Sequence, residues 1–229
     1  MKKKLGIFFL IIFLSIPIFS GDIASFVNLG FSDDSKYFLF GQYGLTETET
    51  YPYGELYLVD VKANAFIAGG VKKQVFPVTA FPGHDGSGAL YTLIISQNQI
   101  IGKYKINPLN TGRTVYILLN GEEAREIINF RDFQTGKSYE ITLVQEVFGK
   151  DKERRSSFHL KVQITDKSEQ VKSFIVGLPD LKRVGVIQYR IRRIIVTPDE
   201  KALIFVVERD EVDSKGINVR YMVESLMLP

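Results

Sequence analysis

Phe31-Ser32-Asp33-Asp34-Ser35-Lys36-Tyr37-Phe38-Leu39-Phe40 is a polar turn feeding a strand of aromatic and large apolar residues, and the chain uses it twice. The second copy, Val196-Thr197-Pro198-Asp199-Glu200-Lys201-Ala202-Leu203-Ile204-Phe205, lies at a constant offset of 165 residues. Aspartate (Asp34, Asp199) and lysine (Lys36, Lys201) hold identical places in the two copies. Asp, Ser and Thr side chains bond the backbone N–H groups that follow them, so each copy turns the chain. The residues beyond the turn suit a pleated, half-buried surface. A recurring turn-plus-strand unit argues for a repeating all-β architecture. It also makes Asp33-Asp34 turn punctuation, because a catalytic acid–base pair would not reappear as Pro198-Asp199.

Outward from these two units, alternating apolar runs predict strands over residues 55–61, 65–68, 114–119, 127–133, 138–148, 156–166, 171–177, 184–197, 202–208 and 217–228. Asn120-Gly121 and Thr135-Gly136-Lys137 are turn signals between them. Residues 71–83, punctuated by Pro77 and Pro82, read as irregular. Leu90, Leu93, Ile94, Ile100, Ile101 and Tyr104 recur at helical spacing and predict one helix over 89–104, with Asp85 or Ser87 as its cap. A strand over 89–95 competes with it, since Tyr, Thr and Ile favour sheets. The expectation is an all-β fold with one inserted helix: a small or degenerate β-propeller-like repeat domain, with a β-sandwich as the alternative.

Residues 41–54 carry Tyr43, Tyr51 and Tyr53 between glycines and around Pro52, and read as an exposed loop. The turn, strand, loop and strand ending in Leu56-Tyr57-Leu58-Val59-Asp60 resemble the β-propeller repeat of periplasmic TolB-type proteins. The glycine usual after the aspartate of that repeat is replaced here by Ser35 and Glu200. Across the chain, Gly21–Ser32, Phe40-Gly41-Gln42-Tyr43-Gly44, Tyr51-Pro52-Tyr53 and Arg220-Tyr221-Met222-Val223-Glu224 resemble an uncharacterised, spirochaete-type family of predicted secreted proteins with a domain-of-unknown-function label. That resemblance implies export and carries no catalytic residue across.

Export is also read from the residues. Lys2, Lys3 and Lys4 precede an apolar run that ends near Pro17, with Ser20 and Gly21 as small residues for cleavage. Residues 1–20 are the expected signal peptide and 21–229 a single β-rich domain, with no transmembrane segment after cleavage. The chain has no cysteine, which excludes a lipoprotein anchor, disulfides and thiolate chemistry. Its 29 Lys and Arg against 26 Asp and Glu are balanced once the three leading lysines are removed, so nucleic acid is not an expected partner.

Two histidines 75 residues apart, His84 and His159, supply no metal site, and no cofactor cradle is recognised. The candidates are therefore binding residues. Tyr43, Tyr51 and Tyr53 offer large contact area with a polar tip. His84 and Asp85 stand in the glycine-dense stretch 83–88. Arg190 and Arg192 read as the solvent face of a strand whose other side is Ile187, Tyr189 and Ile191. The expected function is a non-enzymatic binding or scaffolding module of the cell envelope, periplasmic or secreted, with an envelope protein or glycan as partner. An envelope hydrolase using the 83–88 loop is the alternative.

Overall fold

The structure, a computed structural model, describes residues 21–47, 50–150, 153–213 and 216–229. The expected signal peptide lies outside the described residues. Sheet 1 is built first: β1 (Ser25–Ser32), β2 (Tyr37–Leu45), β3 (Pro52–Asp60) and β4 (Ala65–Val75) form a meander. Two short helices, α1 (Ser87–Ser96) and α2 (Asn98–Lys103), lead to β5 (Ile106–Asn107), which pairs with β1. The next strand, β6 (Arg113–Ile117), belongs to sheet 3. Sheet 2 follows as β7 (Ile127–Arg131), β8 (Ser138–Phe148), β9 (Arg155–Thr165) and β10 (Val171–Val176), with β11 (Arg183–Val184) also on β9. The chain closes on β12 (Val186–Val196), β13 (Ala202–Val212) and β14 (Ile217–Met227), giving sheet 3 the order β14-β13-β12-β6.

All three sheets are antiparallel and open, so the mostly-β expectation holds while a propeller ring is not among the described elements. The predicted single helix is two, broken at Gln97, whose amide bonds back to Leu93 and Ile94 and ends the first. The irregular stretch expected from residue 71 begins later, because β4 runs to Val75 as the edge of sheet 1.

Sheet 3 is the middle of the stack. Leu203, Phe205 and Val207 of β13 join Ile194 and Val196 in a core shared with Ile141, Leu143, Phe158 and Leu160 of sheet 2. The intervening Ile204 and Val206, with Ile195, face Phe31, Phe38, Phe40 and Tyr57 of sheet 1. A strand covered on both faces cannot alternate, and the run Ala202-Leu203-Ile204-Phe205-Val206-Val207 is buried throughout. The far face of sheet 1 takes the helices, through Leu39, Leu56, Leu58, Leu90 and Leu93.

The repeated turn has the same bonding in both copies. Ser32 Oγ donates to Asp34 Oδ1 (2.7 Å) and accepts from the Tyr37 N–H (3.0 Å). Thr197 Oγ1 donates to Asp199 Oδ1 (2.7 Å) and accepts from the Ala202 N–H (2.9 Å). Ser35 and Glu200, standing where the glycine is usual, both take positive φ, 59° and 58°.

Between sheets 1 and 3 the apolar contact passes into a polar seam. Fully buried Gln42 accepts from the Tyr221 N–H (2.8 Å) and donates to Glu55 (2.5 Å), which also bonds the Tyr57 hydroxyl. Burial raises the Glu55 pKa, but Tyr57, Lys73 and Gln42 outweigh it and hold the carboxyl below its usual range. Arg190 pairs with Glu208 (3.0 Å) and Asp210 (2.7 Å), and Arg192 with Glu208 (3.4 Å). These arginines were expected on a solvent face. They sit half-buried in this seam instead, because this face of sheet 3 is turned toward sheet 1.

Sheets 2 and 3 are also pinned by a fork of two bonds from Arg113 to Asp132 (2.8 and 3.0 Å). Arg113, then the Thr135 hydroxyl and the Gln134 amide, overcome desolvation and hold the Asp132 carboxyl at about 2.

Two outcomes are expected. Thr197→Val leaves the buried Ala202 N–H without its acceptor and should lower the urea-unfolding free energy by about 1–3 kcal/mol. The Asp132 pKa is depressed on folding, so its stabilisation is complete above the unfolded value of roughly 4 and vanishes as pH falls through about 2. Wild type and Asp132→Asn should thus differ in stability at pH 6, and the difference should close between pH 4 and 2.

Candidate functional site

Glycines decide where the site forms. A side chain at Gly54 would meet the Leu90 backbone (2.9 Å), and one at Gly41 the Leu90 side chain (2.7 Å). These glycines are therefore strand residues that let α1 lie directly on sheet 1. Residues 41–54 were expected to be an exposed loop bounded by glycines. Residues 41–45 and 52–54 are strand instead, so Tyr43 lies on β2 and Tyr53 on β3.

The three tyrosines consequently separate. Tyr53 is buried, donates its hydroxyl to Asp22 (2.8 Å) and lies beneath the Arg220 guanidinium (4.9 Å to the ring centre). Arg220 pairs with the same Asp22 (2.6 Å). Burial pushes the Tyr53 phenol far above its ordinary pKa, so it acts as a neutral donor inside the seam. Tyr43 is half-buried against Leu56, Leu90 and Leu93. Tyr51 alone remains in the connection between β2 and β3, its N–H on Thr46 Oγ1 (3.0 Å).

The connection and the 83–88 stretch, distant in sequence, meet at the edge of sheet 1. The Ala80 N–H donates to Thr50 O (3.0 Å) and the Phe76 N–H to Pro52 O (2.9 Å). Gly86, at φ 77°, packs on Gly44: a Cβ there would come within 2.6 Å of the Gly44 carbonyl oxygen. Between these segments and the start of α1 lies an open cleft of about 690 Å³ lined by Pro52, Phe76, Val78, Phe81, His84 and Thr92, among others. Its rim is apolar and wet, with Val78 67% and Phe81 70% exposed. Phe76, Val78 and Phe81 were not singled out from the sequence, although large apolar residues in a proline-punctuated, non-periodic segment were the available signal.

His84 and Asp85 both line this cleft. His84 packs edge-on against Phe81 (5.7 Å) and its Nδ1 accepts from the Phe81 N–H (3.4 Å). The Asp85 carboxylate accepts from the Ser87 N–H (2.9 Å), which together with the Ser87 hydroxyl and His84 lowers its pKa. Asp85 therefore bonds Ser87 directly, while His84 is turned to Phe81. A hydrolytic relay requires the imidazole between the other two. The second histidine, His159, lies half-buried on β9 in sheet 2. Among the described residues no group of His, Asp and Glu converges as a metal site, and no helix is long and apolar enough to cross a membrane.

Gly86→Ala should cost about 2 kcal/mol or more, from the positive φ and the clash with Gly44, and should open the cleft. Urea unfolding measures the first effect and proteolysis within residues 76–86 the second.

The chain matches a family model described as predicted secreted protein (DUF2259) over residues 39–226, and belongs to that family. No curated protein and no solved structure matches the chain.

Proposed function

Because the chain belongs to this family of predicted secreted proteins, whose function is unknown, we propose that it is an exported binding module of the cell envelope. In this reading residues 1–20 are removed as a signal peptide and 21–229 work as one β-rich domain without catalytic activity. The ligand-binding region is the cleft beside α1, and what it takes is an apolar group carried by an envelope partner. The carrying observation is the water-exposed apolar rim, Val78 and Phe81, around a cavity large enough for an aromatic ring or branched chain. Burying such a group there contributes about 2–3 kcal/mol. His84, Asp85 and the hydroxyl of Thr92 supply the few polar contacts that orient it, and Tyr51 stands one residue from Pro52 at the margin.

The test is a titration of the purified protein with 1-anilinonaphthalene-8-sulfonate and N-phenyl-1-naphthylamine, followed by fluorescence. Saturable binding of at least the neutral probe is expected, weakened tenfold or more by Phe81→Ser with the melting temperature unchanged within about 2 °C, since Phe81 is largely exposed. Binding that never saturates, or that Phe81→Ser leaves intact, overturns the cleft as the site. Edman sequencing of the envelope-localised protein should begin at Gly21.

A further inference from the structure

A β-bulge on β12 creates a second site. Ile191 pairs with Val207 and Arg193 with Val206, so Arg192 is an extra residue in the strand. Before the bulge Tyr189 and Ile191 point into the core shared with sheet 2, and after it Ile194 and Val196 do. The parity shift leaves two consecutive arginines, 192 and 193, on the opposite face. Bulges re-aim side chains in this way and are frequent at functional sites.

Both arginines line a cavity of about 380 Å³ with Phe26, Ile117, Asn120 and Tyr221, among others. It shares no lining residue with the apolar cleft. The charges in it do not balance. Arg192 is satisfied by Glu208 (3.4 Å) and by Asn120 Oδ1 (2.7 Å), and Glu208 is shared with Arg190. Arg220, Arg209 and Arg113 each have a carboxylate at 2.6–2.8 Å. Half-buried Arg193 has no carboxylate within ion-pair distance among the described residues; its guanidinium covers the Phe26 ring, at 5.6 Å, and acts electrostatically on the Tyr221 phenol. A partly desolvated cation with an apolar floor and no counter-charge is set to take its partner from outside.

We infer that this cavity binds a small organic anion, its carboxylate or phosphate on the Arg193 guanidinium and its apolar body against Phe26 and Ile117. The fork of guanidinium donors suits either oxyanion, and Asn120, whose Oδ1 is held by Arg192, keeps its amide hydrogens for the same group.

The experiment titrates the purified protein with inorganic phosphate and with benzoate, each against sodium chloride at matched ionic strength, reading amide chemical shifts and thermal midpoint. A saturable response to phosphate alone identifies a phosphate-bearing ligand. A response to benzoate alone identifies a carboxylate on an apolar body. Arg193→Gln should weaken the responding probe at least tenfold, and Arg193→Lys less. Asn120→Asp, at an exposed position, should weaken it threefold or more by setting a carboxylate at the mouth, and serves if Arg193→Gln does not fold. No saturable response beyond chloride, or unchanged affinity in Arg193→Gln or Asn120→Asp, overturns the site.

Discussion

Leu203, Phe205 and Val207 touch one outer sheet while Ile204 and Val206 touch the other, and the molecule is arranged around keeping both contacts dry. A β-strand normally offers one face to a core and one to water. When both are covered, the polar backbone between them must be wholly paired, and β13 is bonded along its length by β12 and β14. The same demand explains the two turns. Thr197 and Ser32 close the hairpins that feed β13 and β2 with side-chain oxygens, which give the Ala202 and Tyr37 N–H groups their acceptors.

The double covering does not extend to the far ends of the strands, where Glu208, Asp210 and Arg190 replace apolar residues. There the sheets are held by ion pairs and hydrogen bonds of Gln42, Glu55, Tyr57, Arg220 and Tyr221. Burial and the Glu208 carboxylate push the Tyr221 hydroxyl up to about 12, so it stays a donor. Partly buried polar seams of this kind add little net stability but discriminate among alternative packings, since any shift leaves a charge unpaired.

The strand order around the two repeated turns was legible because its signals are local. Asp34 and Lys36, like Asp199 and Lys201, occupy fixed places in a short hydrogen-bonded unit, and Ser138–Phe148 was marked by the preceding Thr135-Gly136-Lys137 turn and by its alternation. The candidate site was only half legible. His84 and Asp85 were marked by glycine density, but the partners of that loop are Thr50, Pro52 and Gly44, far away in sequence. Gly41 and Gly54 misled because a glycine that breaks a strand and one that admits a helix against it look identical in one dimension. Tyr53 and Arg190 were read as exposed for a related reason: their partners, Asp22 and Glu208 with Asp210, come from segments distant in sequence.

The central place of β13 also has a bearing on the order of events in folding. The strand that both outer sheets require follows both of them in the sequence, and its contacts with Phe38 and Phe40 join residues far apart along the chain. Contacts of such long sequence separation form slowly, because a large loop must close before they contribute. Until the β13–β14 hairpin forms, the inner faces of sheets 1 and 2 have nothing to rest against. That delay is a hazard. A chain whose core waits on one inner hairpin keeps apolar faces uncovered until that hairpin is in place, and a partly assembled core of this kind is where misassembly and aggregation begin.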